Sequence, residues 1–514
     1  MSRFFSAGLA KLHGLSILDA LDEPALFGAA IRDHASWEPW RAFLAAMFGL
    51  PLLYPHEKEL FRVCTGRAEP PNAPVRNVWL ICGRRAGKSF CMALVAAYLA
   101  VFRNWTPKLS PGERAVVLLV AADREQAKIL HRYIAGILSV PLLRSLLDNV
   151  SADSIELKGR VVIEVVTRSY RAVRGRSVCA ALLDELAFWR DETSSNPDSD
   201  VVNAIRPAMA TFGSDAVLIG ASSPYAKRGV LWEAFAKWHG RESLDNLVWQ
   251  AATRVMNPSV TQEFIDAEFE RDPISAAAEY DAQFRTDIAA YVNFEVIQAC
   301  TPPGLYELLP EASNSCFGFT DPSGGSADSM TLAIAHLDSE GVAILDCIRE
   351  VRPPFSPESA VEEFCKTLAA YRVTTVCGDR YAGEWPREQF SKRGVTYEPA
   401  AKPKSGLYRE LLPLLNSRKA QLLDDKRLLA QLHSLERRTA RGGRDSIDHG
   451  PGGHDDIANA VAGALVLVSG ATDWSSLWDK FEEVLGGNPK PPAVGEDEKA
   501  ALEYWRDHQK TVRC

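Results

Sequence analysis

Residues 77–100, "NVWLICGRRAGKSFCMALVAAYLA", decide the fold. The β-branched, apolar run 78–82 predicts a buried strand, and 88–102 reads as an Ala/Leu-rich helix. Between them lies a short turn ending in a Lys-Ser pair. Strand, turn, Lys-Ser and helix form the context that a phosphate-binding loop needs. Backbone N–H groups of Gly83, Arg84, Arg85, Ala86 and Gly87 would cradle the phosphates. Lys88 would reach the β/γ oxygens and Ser89 would ligate Mg²⁺. One departure matters: Cys82 occupies the usual first glycine position, and Gly83 comes one step late. The competing reading is a basic surface turn before a helix.

The downstream order favours the loop. "AVVLLVAA" (115–122) predicts a second buried strand, and "DREQAKILHRYIAGIL" an amphipathic helix. "SIELKGRVVIEVVT" (154–167) reads as a hairpin around Lys158-Gly159. "VCAALLDELAFW" (178–189) is an apolar strand closed by adjacent carboxylates, Asp184 and Glu185, and "DAVLIGASSP" (215–224) is another, ending in Ser222-Ser223-Pro224. Strands alternating with helices imply a mainly parallel sheet with its site along the C-terminal edge. Asp184 is expected to hold Mg²⁺ through water or Ser89, and Glu185 to align and deprotonate the attacking water. Ser222 or Ser223 would sit between the γ-phosphate and the moving parts, with ordinary turn capping as the alternative.

After residue 255 the pattern changes. Residues 257–284 read as a charged helical connector, and the Pro-rich stretch 300–315 as a boundary. "CFGFTDPSGGSADSMTLAIAHLDSEGVAILDCI" then predicts an antiparallel meander with Asp321 at the end of its first strand. A helix (357–370), the strand "VTTVCGD" (373–379) ending on Asp379, the strand "VTYEP" and further helices follow. The last helix starts within "GGHDDIANAVAGALVLV" (452–468). This is the ribonuclease-H-like order. It would bring Asp321, Asp379 and the Asp455/Asp456 pair together to bind two Mg²⁺ or Mn²⁺ ions about 4 Å apart for phosphodiester hydrolysis. The plainer alternatives are turn aspartates and helix N-caps. Asp328 is a further candidate for accessory ligation. Asp456 is expected as the direct ligand, because Asn459, Ala460, Gly463, Ala464 and Leu467 give its face a mostly small stripe for close packing on a sheet; the Asp455 face, with Ala458, Asn459, Ala462 and Val466, also fits but has a bulkier end. Asp455 is expected as a helix-end or supporting acid.

At 514 residues and 46% hydrophobic, the chain can bury more than one core. Its net charge of -8 and pI near 5.8 do not advertise static DNA binding. Local clusters exist at Arg168, Arg171, Arg174 and Arg176, and at Arg437, Arg438, Arg441 and Arg444. The second cluster is expected as a strip beside the nuclease site; a solvated loop is the plainer reading of each. The ten cysteines are scattered without C-x-x-C spacing, which suits small core residues in a reducing compartment. No apolar stretch reaches the roughly 18 residues of a membrane span. Asp19, Asp22 and Glu23 interrupt the N-terminus, so no export signal is expected. The expected layout is an N-terminal helical segment 1–50, an ATPase domain 51–255, a connector 256–314, a nuclease domain 315–470 and a tail 471–514. Within the tail, "GGNPKPPAVGEDEK" (486–499) reads as a linker and "ALEYWRDHQK" as a short helix that docks on a partner.

The motifs "CGRRAGKS", "LLDELAFW", "GASSPYAKRG", "NPSVTQEFI", "TDPSGG" and "GGHDDIANAVAGAL" together resemble the large terminase subunit of tailed bacteriophages over residues 36–470. The resemblance implies an ASCE-type P-loop ATPase followed by a ribonuclease-H-like nuclease. Such a chain cuts concatemeric viral DNA, works with a small terminase subunit, docks on the portal protein of the prohead and pumps double-stranded DNA. It also implies ATP with Mg²⁺, a ring of copies when docked, and a place in the host cytoplasm. By matching motif, Lys88 and Ser89 become the phosphate and Mg²⁺ contacts, Asp184 and Glu185 the second acidic motif with Glu185 as base, and Ser222-Ser223 the coupling motif. Arg84 or Arg85 becomes the arginine on the γ-phosphate, and Asp321, Asp379 and Asp456 the nuclease triad. The stretch "SWEPWRAFLAAMFG" (36–49) falls where the family holds adenine, but Trp40 and Arg41 stand where a glutamine is often found. Asn459 stands where an acid is frequent. Two other readings compete: a helicase- or repair-type translocase with an attached nuclease, and a nucleotide-dependent DNA-binding switch with an inert nuclease-like domain.

Overall fold

The computed structural model describes residues 12–167, 175–189, 194, 196–326, 328–379, 384–439, 445–450 and 453–470. The chain forms two compact units, Met1–Tyr291 with Leu429–His454, and Val292–Leu428 with Asp455–Cys514. These lines differ from the expected domain bounds at 255 and 314. The connector helices up to Glu279 fall in the first unit and the helix Phe294–Ala299 in the second, while a segment, 429–454, that sequence order places inside the nuclease falls in the first. Arg168, Arg171, Arg174, Arg441, Arg444 and the whole tail, with its linker and docking helix, lie outside the described residues.

The first unit is built on an eight-stranded sheet. Its strands are β1 (Asn77–Cys82), β2 (Ala115–Ala121), β3 (Leu147–Val150), β4 (Ser154–Leu157), β5 (Val161–Thr167), β6 (Ser177–Asp184), β7 (Val217–Ser222) and β8 (Asn246–Ala251). They lie in the order β3-β4-β5-β2-β6-β7-β1-β8. From β5 to β8 every pairing is parallel; β3 and β4 add an antiparallel edge. Every residue of β2 and β7 is buried, which is why these strands read as unbroken apolar runs rather than alternating ones. Helix α1 (Lys88–Phe102) follows β1 and is buried almost all round. One strand, β7, lies between the loop-bearing β1 and the acidic β6, the order of an ASCE-type ATPase. Its register puts Ser222 opposite Ile81 of β1 and Ala221 opposite Asp184 of β6. A small antiparallel sheet completes the unit, with β9 (Ile288–Ala290) and the later β16 (Leu435–Thr439) and β17 (Asp445–His449) in the order β17-β16-β9.

The second unit has a six-stranded sheet of β10 (Cys316–Asp321), β11 (Met330–Leu337), β12 (Ala343–Val351), β13 (Thr375–Gly378), β14 (Thr396–Pro399) and β15 (Ala420–Gln421). Their order is β14-β13-β10-β11-β12-β15. Strands β10, β11 and β12 form the antiparallel meander, while β13 and then β14 run parallel beside β10. This is the ribonuclease-H-like order. Helices pack on both faces, as successive residues of β10 show. Gly318 faces Leu368 of α2 (Pro357–Ala370), and Phe319 faces Gly463. Helices α3 (Lys404–Asn416) and α4 (Asp456–Gly470) pack together, α4 directly on β10 and β11. The nine cysteines among the described residues are free thiols, six of them buried, consistent with core roles. No described helix is long and apolar enough to cross a membrane.

A Cβ built at Gly463 would lie 2.2 Å from the ring of Phe319, which is itself buried. Gly463→Ala should therefore destabilise the second unit by about 1–3 kcal/mol through overpacking, against the roughly 1 kcal/mol that alanine gains over glycine in a helix. Urea unfolding measures it; an unchanged or raised midpoint would show that α4 has room to withdraw.

Candidate active sites

The turn after β1 is held from several sides. Its backbone passes so close to the rest of the unit that a Cβ at Gly83 would meet Thr253 Oγ1 at 2.2 Å and the Tyr280 carbonyl at 2.6 Å. Only glycine fits there, which accounts for the glycine arriving one step late after Cys82. Thr253 Oγ1 donates to the Arg84 carbonyl at 2.8 Å, and Asn257 Nδ2 to the Arg85 carbonyl at 2.8 Å. The indole N–H of Trp40 donates to the Ala86 carbonyl at 3.2 Å. Gly87 then caps α1.

The side chains expected at the nucleotide converge on this turn. Lys88 is buried, and its ammonium donates to the Cys82 and Gly83 carbonyls at 3.0 and 3.1 Å and to Ser223 Oγ at 3.3 Å. It lies 3.8 Å from Glu185 Oε1. Ser89 Oγ donates to Asp184 Oδ2 at 2.9 Å. Ser222 Oγ donates to Glu185 Oε2 at 3.0 Å, and Glu185 takes a left-handed backbone conformation, φ 52, at the sharp end of β6. Burial, with Glu185 adjacent, pushes the Asp184 carboxyl up to about 7. Its Oδ1 is buried with no hydrogen-bond partner, an unmet acceptor beside the Ser89 hydroxyl. A divalent cation fits that oxygen pair, and the buried lysine with the N–H groups at the start of α1 fits a polyphosphate.

Arg84 and Arg85 are both exposed. Arg84 forms an ion pair with Glu279 at 3.3 Å, and its N–H donates to the Glu279 carbonyl. The residues expected at the adenine position have other occupations: Trp40 is a buried support of the turn, and Arg41 forms an ion pair with Asp22 at 2.7 Å. Thr253, Asn257 and Glu279, which brace the turn, were missed by sequence reasoning; the one available signal was that Asn257 opens the stretch "NPSVTQEFI".

In the second unit the acids gather at one sheet edge. Asp321 ends β10, and Asp379 follows β13, its parallel neighbour, with Thr320 and Gly378 in register. Thr331, opposite Asp321 on β11, donates its hydroxyl to the Asp456 carbonyl at 2.7 Å, and the Ser329 N–H donates to Asp456 Oδ2 at 3.3 Å. Burial pushes the Asp321 carboxyl up to about 8, with Asp456, Asp379 and Asp455 adding repulsion in that order; the amide of Asn459, donating at 2.9 Å, works the other way. Among the described residues these acids do not close into a set whose ligand atoms all lie within 4.8 Å of one another. They share a charged, partly buried edge that a divalent cation would neutralise.

The two neighbouring aspartates diverge, as a step of about 100° on a helix requires. Asp455 is buried and accepts from Tyr408 Oη at 2.9 Å and from Lys404 at 3.0 Å, both on α3. Asp456 turns to β11. Asp328 is exposed, serves its own loop through a carbonyl that accepts from Ser323, and is not among the acids pressing on Asp321. Arg437 and Arg438 stand on β16 of the first unit's small sheet, and Arg438 is partly buried against Glu436 at 3.1 Å. Strand alternation splits the pair, leaving Arg437 as the exposed one.

With its carboxyl at about 8, folded Asp321 keeps a proton that the unfolded chain releases above the ordinary carboxylate range. Stability therefore falls as pH rises through that window. Asp321→Asn removes the loss. Metal-free, the variant should melt above the parent at about pH 8, by roughly 2–4 °C for each kcal/mol relieved, with the gap closing near pH 4. Adding Mn²⁺ should raise only the parent. Melting curves that keep the same gap at both pH values would rule this out.

Residues 80–248 match the family model described as terminase large subunit, T4likevirus-type, N-terminal. Among solved structures, the bacteriophage HK97 large terminase is similar at 14% identity and a TM-score of 0.36, covering 84% of this chain and 99% of that one. The large terminase nuclease from thermophilic phage G20c with bound magnesium is similar at 20% identity and a TM-score of 0.27, covering 31% and 92%. The large terminase of another thermophilic bacteriophage, in complex with ATP-gamma-S, is similar at 14% identity and a TM-score of 0.30, covering 76% and 92%. No curated protein matches. Residues 80–248 thus match the family of large terminase subunits of the T4-like-virus type, in its N-terminal part.

Proposed function

We propose that this chain is the motor subunit that packages viral DNA, hydrolysing ATP at the β1–β6–β7 edge and cutting concatemeric double-stranded DNA at the β10–β13 edge. The observation that carries the reading is the hydrogen-bonded set Lys88, Ser89, Asp184, Glu185, Ser222 and Ser223 at one sheet edge, with a second acid edge on another sheet. Lys88 binds and orients the β/γ-phosphates, and the N–H groups at the start of α1 share their charge, since those of Gly83, Arg84 and Ala86 already donate within the unit. Glu185 aligns and deprotonates the attacking water, while Ser222 fixes its carboxylate. Mg²⁺ held by Ser89 and Asp184 would supply positive charge against the phosphates. Arg84 or Arg85, both exposed, is the candidate arginine for the γ-phosphate.

At the second edge, Asp321, Asp379 and Asp456 are the candidate ligands for two Mg²⁺ or Mn²⁺ ions, which would polarise the scissile phosphodiester. Asp455, occupied by Lys404 and Tyr408, supports the helix start instead. The partners we propose are double-stranded DNA, the small terminase subunit and the portal protein, with the chain acting as a ring of copies docked on the prohead in the host cytoplasm. Among the described residues no second large parallel sheet exists for a helicase-type translocase. Asp321, Asp379 and Asp456 are all present, which disfavours an inert nuclease-like domain.

Lys88→Ala should abolish ATP turnover and leave Mn²⁺-dependent plasmid cleavage intact, because the two edges lie on different sheets. Glu185→Gln should keep ATP binding and lose hydrolysis by about 10²–10⁴-fold, the scale of a missing general base. ATPase and plasmid-linearisation assays on each purified variant decide it; parallel loss of both activities in folded Lys88→Ala would mean that the sites are not separate.

For the nuclease edge, Asp456→Asn should be inactive in Mn²⁺-supported cleavage. Asp455→Asn should retain cleavage with lowered thermal stability, since it strands Lys404 and Tyr408. The reverse pattern would exchange their roles.

A further inference from the structure

We infer that Glu436 is a positioning residue that locks the ATP-site segment Ser222–Arg228 to the small β9–β16–β17 sheet, so that the two move as one body. The inference rests on the ATPase reading above. At one end of the segment, Ser223 accepts from Lys88 and Ser222 donates to Glu185. Only Pro224 separates these serines from Tyr225, whose phenol donates to Glu436 Oε2 at 2.7 Å. Arg228 donates to Glu436 Oε1 at 2.6 Å, and Arg438, two residues along β16, to Oε2 at 3.1 Å. A second seam runs alongside. The Arg285 N–H donates to the Tyr225 carbonyl at 2.8 Å, Ala226 and Arg285 form a parallel bridge, and Arg285 pairs with Asp287 at the start of β9.

Glu436 is 0% exposed, and both its oxygens are taken. A shift of Tyr225 and Arg228 that left β16 in place would strip donors from a fully buried carboxylate, a strongly unfavourable change. The strand must follow the segment. Glu436 stands 208 positions after Arg228, in a stretch whose sequence neighbours build the nuclease unit, yet it packs in the ATPase unit. The next residue on the strand, Arg437, is exposed. A rearrangement of Ser222 and Ser223 during nucleotide turnover is therefore passed to the strand that presents Arg437. This is a mechanical link between two elements, and its warrant has to be a measured coupling rather than proximity.

The test is hydrogen–deuterium exchange of peptides covering β16 and β17 in the full-length chain, with and without ATP-γ-S and Mg²⁺, beside steady-state ATPase assays. In the parent, nucleotide should change exchange in β16. Tyr225→Phe, which removes one hydroxyl, should keep KM and kcat for ATP within about twofold while that nucleotide-dependent change disappears. Glu436→Gln should behave alike, and the double variant should add nothing further. A retained nucleotide response in folded Tyr225→Phe overturns the inference, as does an ATP-hydrolysing parent whose β16 ignores nucleotide. Loss of kcat, KM and melting temperature together in Tyr225→Phe would reduce Glu436 to a structural clasp. A parent that neither binds ATP-γ-S nor hydrolyses ATP would instead sink the ATPase reading, and the link with it.

Discussion

A carboxylate taken out of water must be hydrogen-bonded, paired with a cation or protonated. How the buried acids of this chain meet that constraint separates its structural groups from its candidate chemistry. Glu436 has Tyr225, Arg228 and Arg438; Asp455 has Tyr408 and Lys404; Asp346 has His336 at 2.8 Å. These acids are fully occupied; Glu436 and Asp455 tie distant segments together, and Asp346 joins neighbouring strands. Asp184 and Asp321 are not. One keeps a buried oxygen without a donor, and both carboxyls are pushed far above the ordinary carboxylate range by burial and by neighbouring acids. They lie at strand ends, where a parallel sheet gathers side chains from segments far apart in sequence. An acid left unsatisfied in such a place is stable only as a neutral group or beside a cation.

Much of this was legible in the sequence, for physical reasons. The central strands are buried on both faces, so 78–82, 115–122 and the run into Asp184 stand out as continuous apolar stretches. The helix over 88–102 and the meander after residue 315 follow from local pattern and turn residues alone. The elements that escaped are those whose stability comes from distant partners. Strand β8 is an edge beside β1, and the short strand β16, with its hairpin partner β17, pairs with β9 across more than a hundred residues. Without those partners, 435–449 reads as a basic loop of the nuclease. Its burial comes from Tyr225 and Arg228, which no local periodicity announces.

The candidate phosphate-binding turn shows the same division. Its presence is written in its own residues, whereas its support is not. Gly83 is required by Thr253 and Tyr280, and the loop carbonyls are held by Trp40, Thr253 and Asn257. The position expected to meet adenine is used instead to brace the turn through a buried indole. With Arg41 also committed to Asp22, base recognition in this chain must come from other side chains or from backbone.

At the acid edge of the second unit, one helix sets most of the geometry. Three residues of α4 and the residue that caps it meet four different surroundings within little more than two turns. Asp455 reaches α3, Asp456 reaches β11, Asn459 reaches Asp321, and Gly463 lies against the Phe319 ring. The last contact controls the others. Because Gly463 carries no side chain, the helix approaches β10 closely enough for Asn459, one turn earlier, to donate to Asp321 at 2.9 Å. A neutral amide at that position also keeps a further negative charge away from an acid on which three others already press. The departure from an acid at 459 is thus matched to the close packing at 463. A carboxylate placed there would either repel Asp321 or drive the helix off the sheet, unless a second cation held the two together.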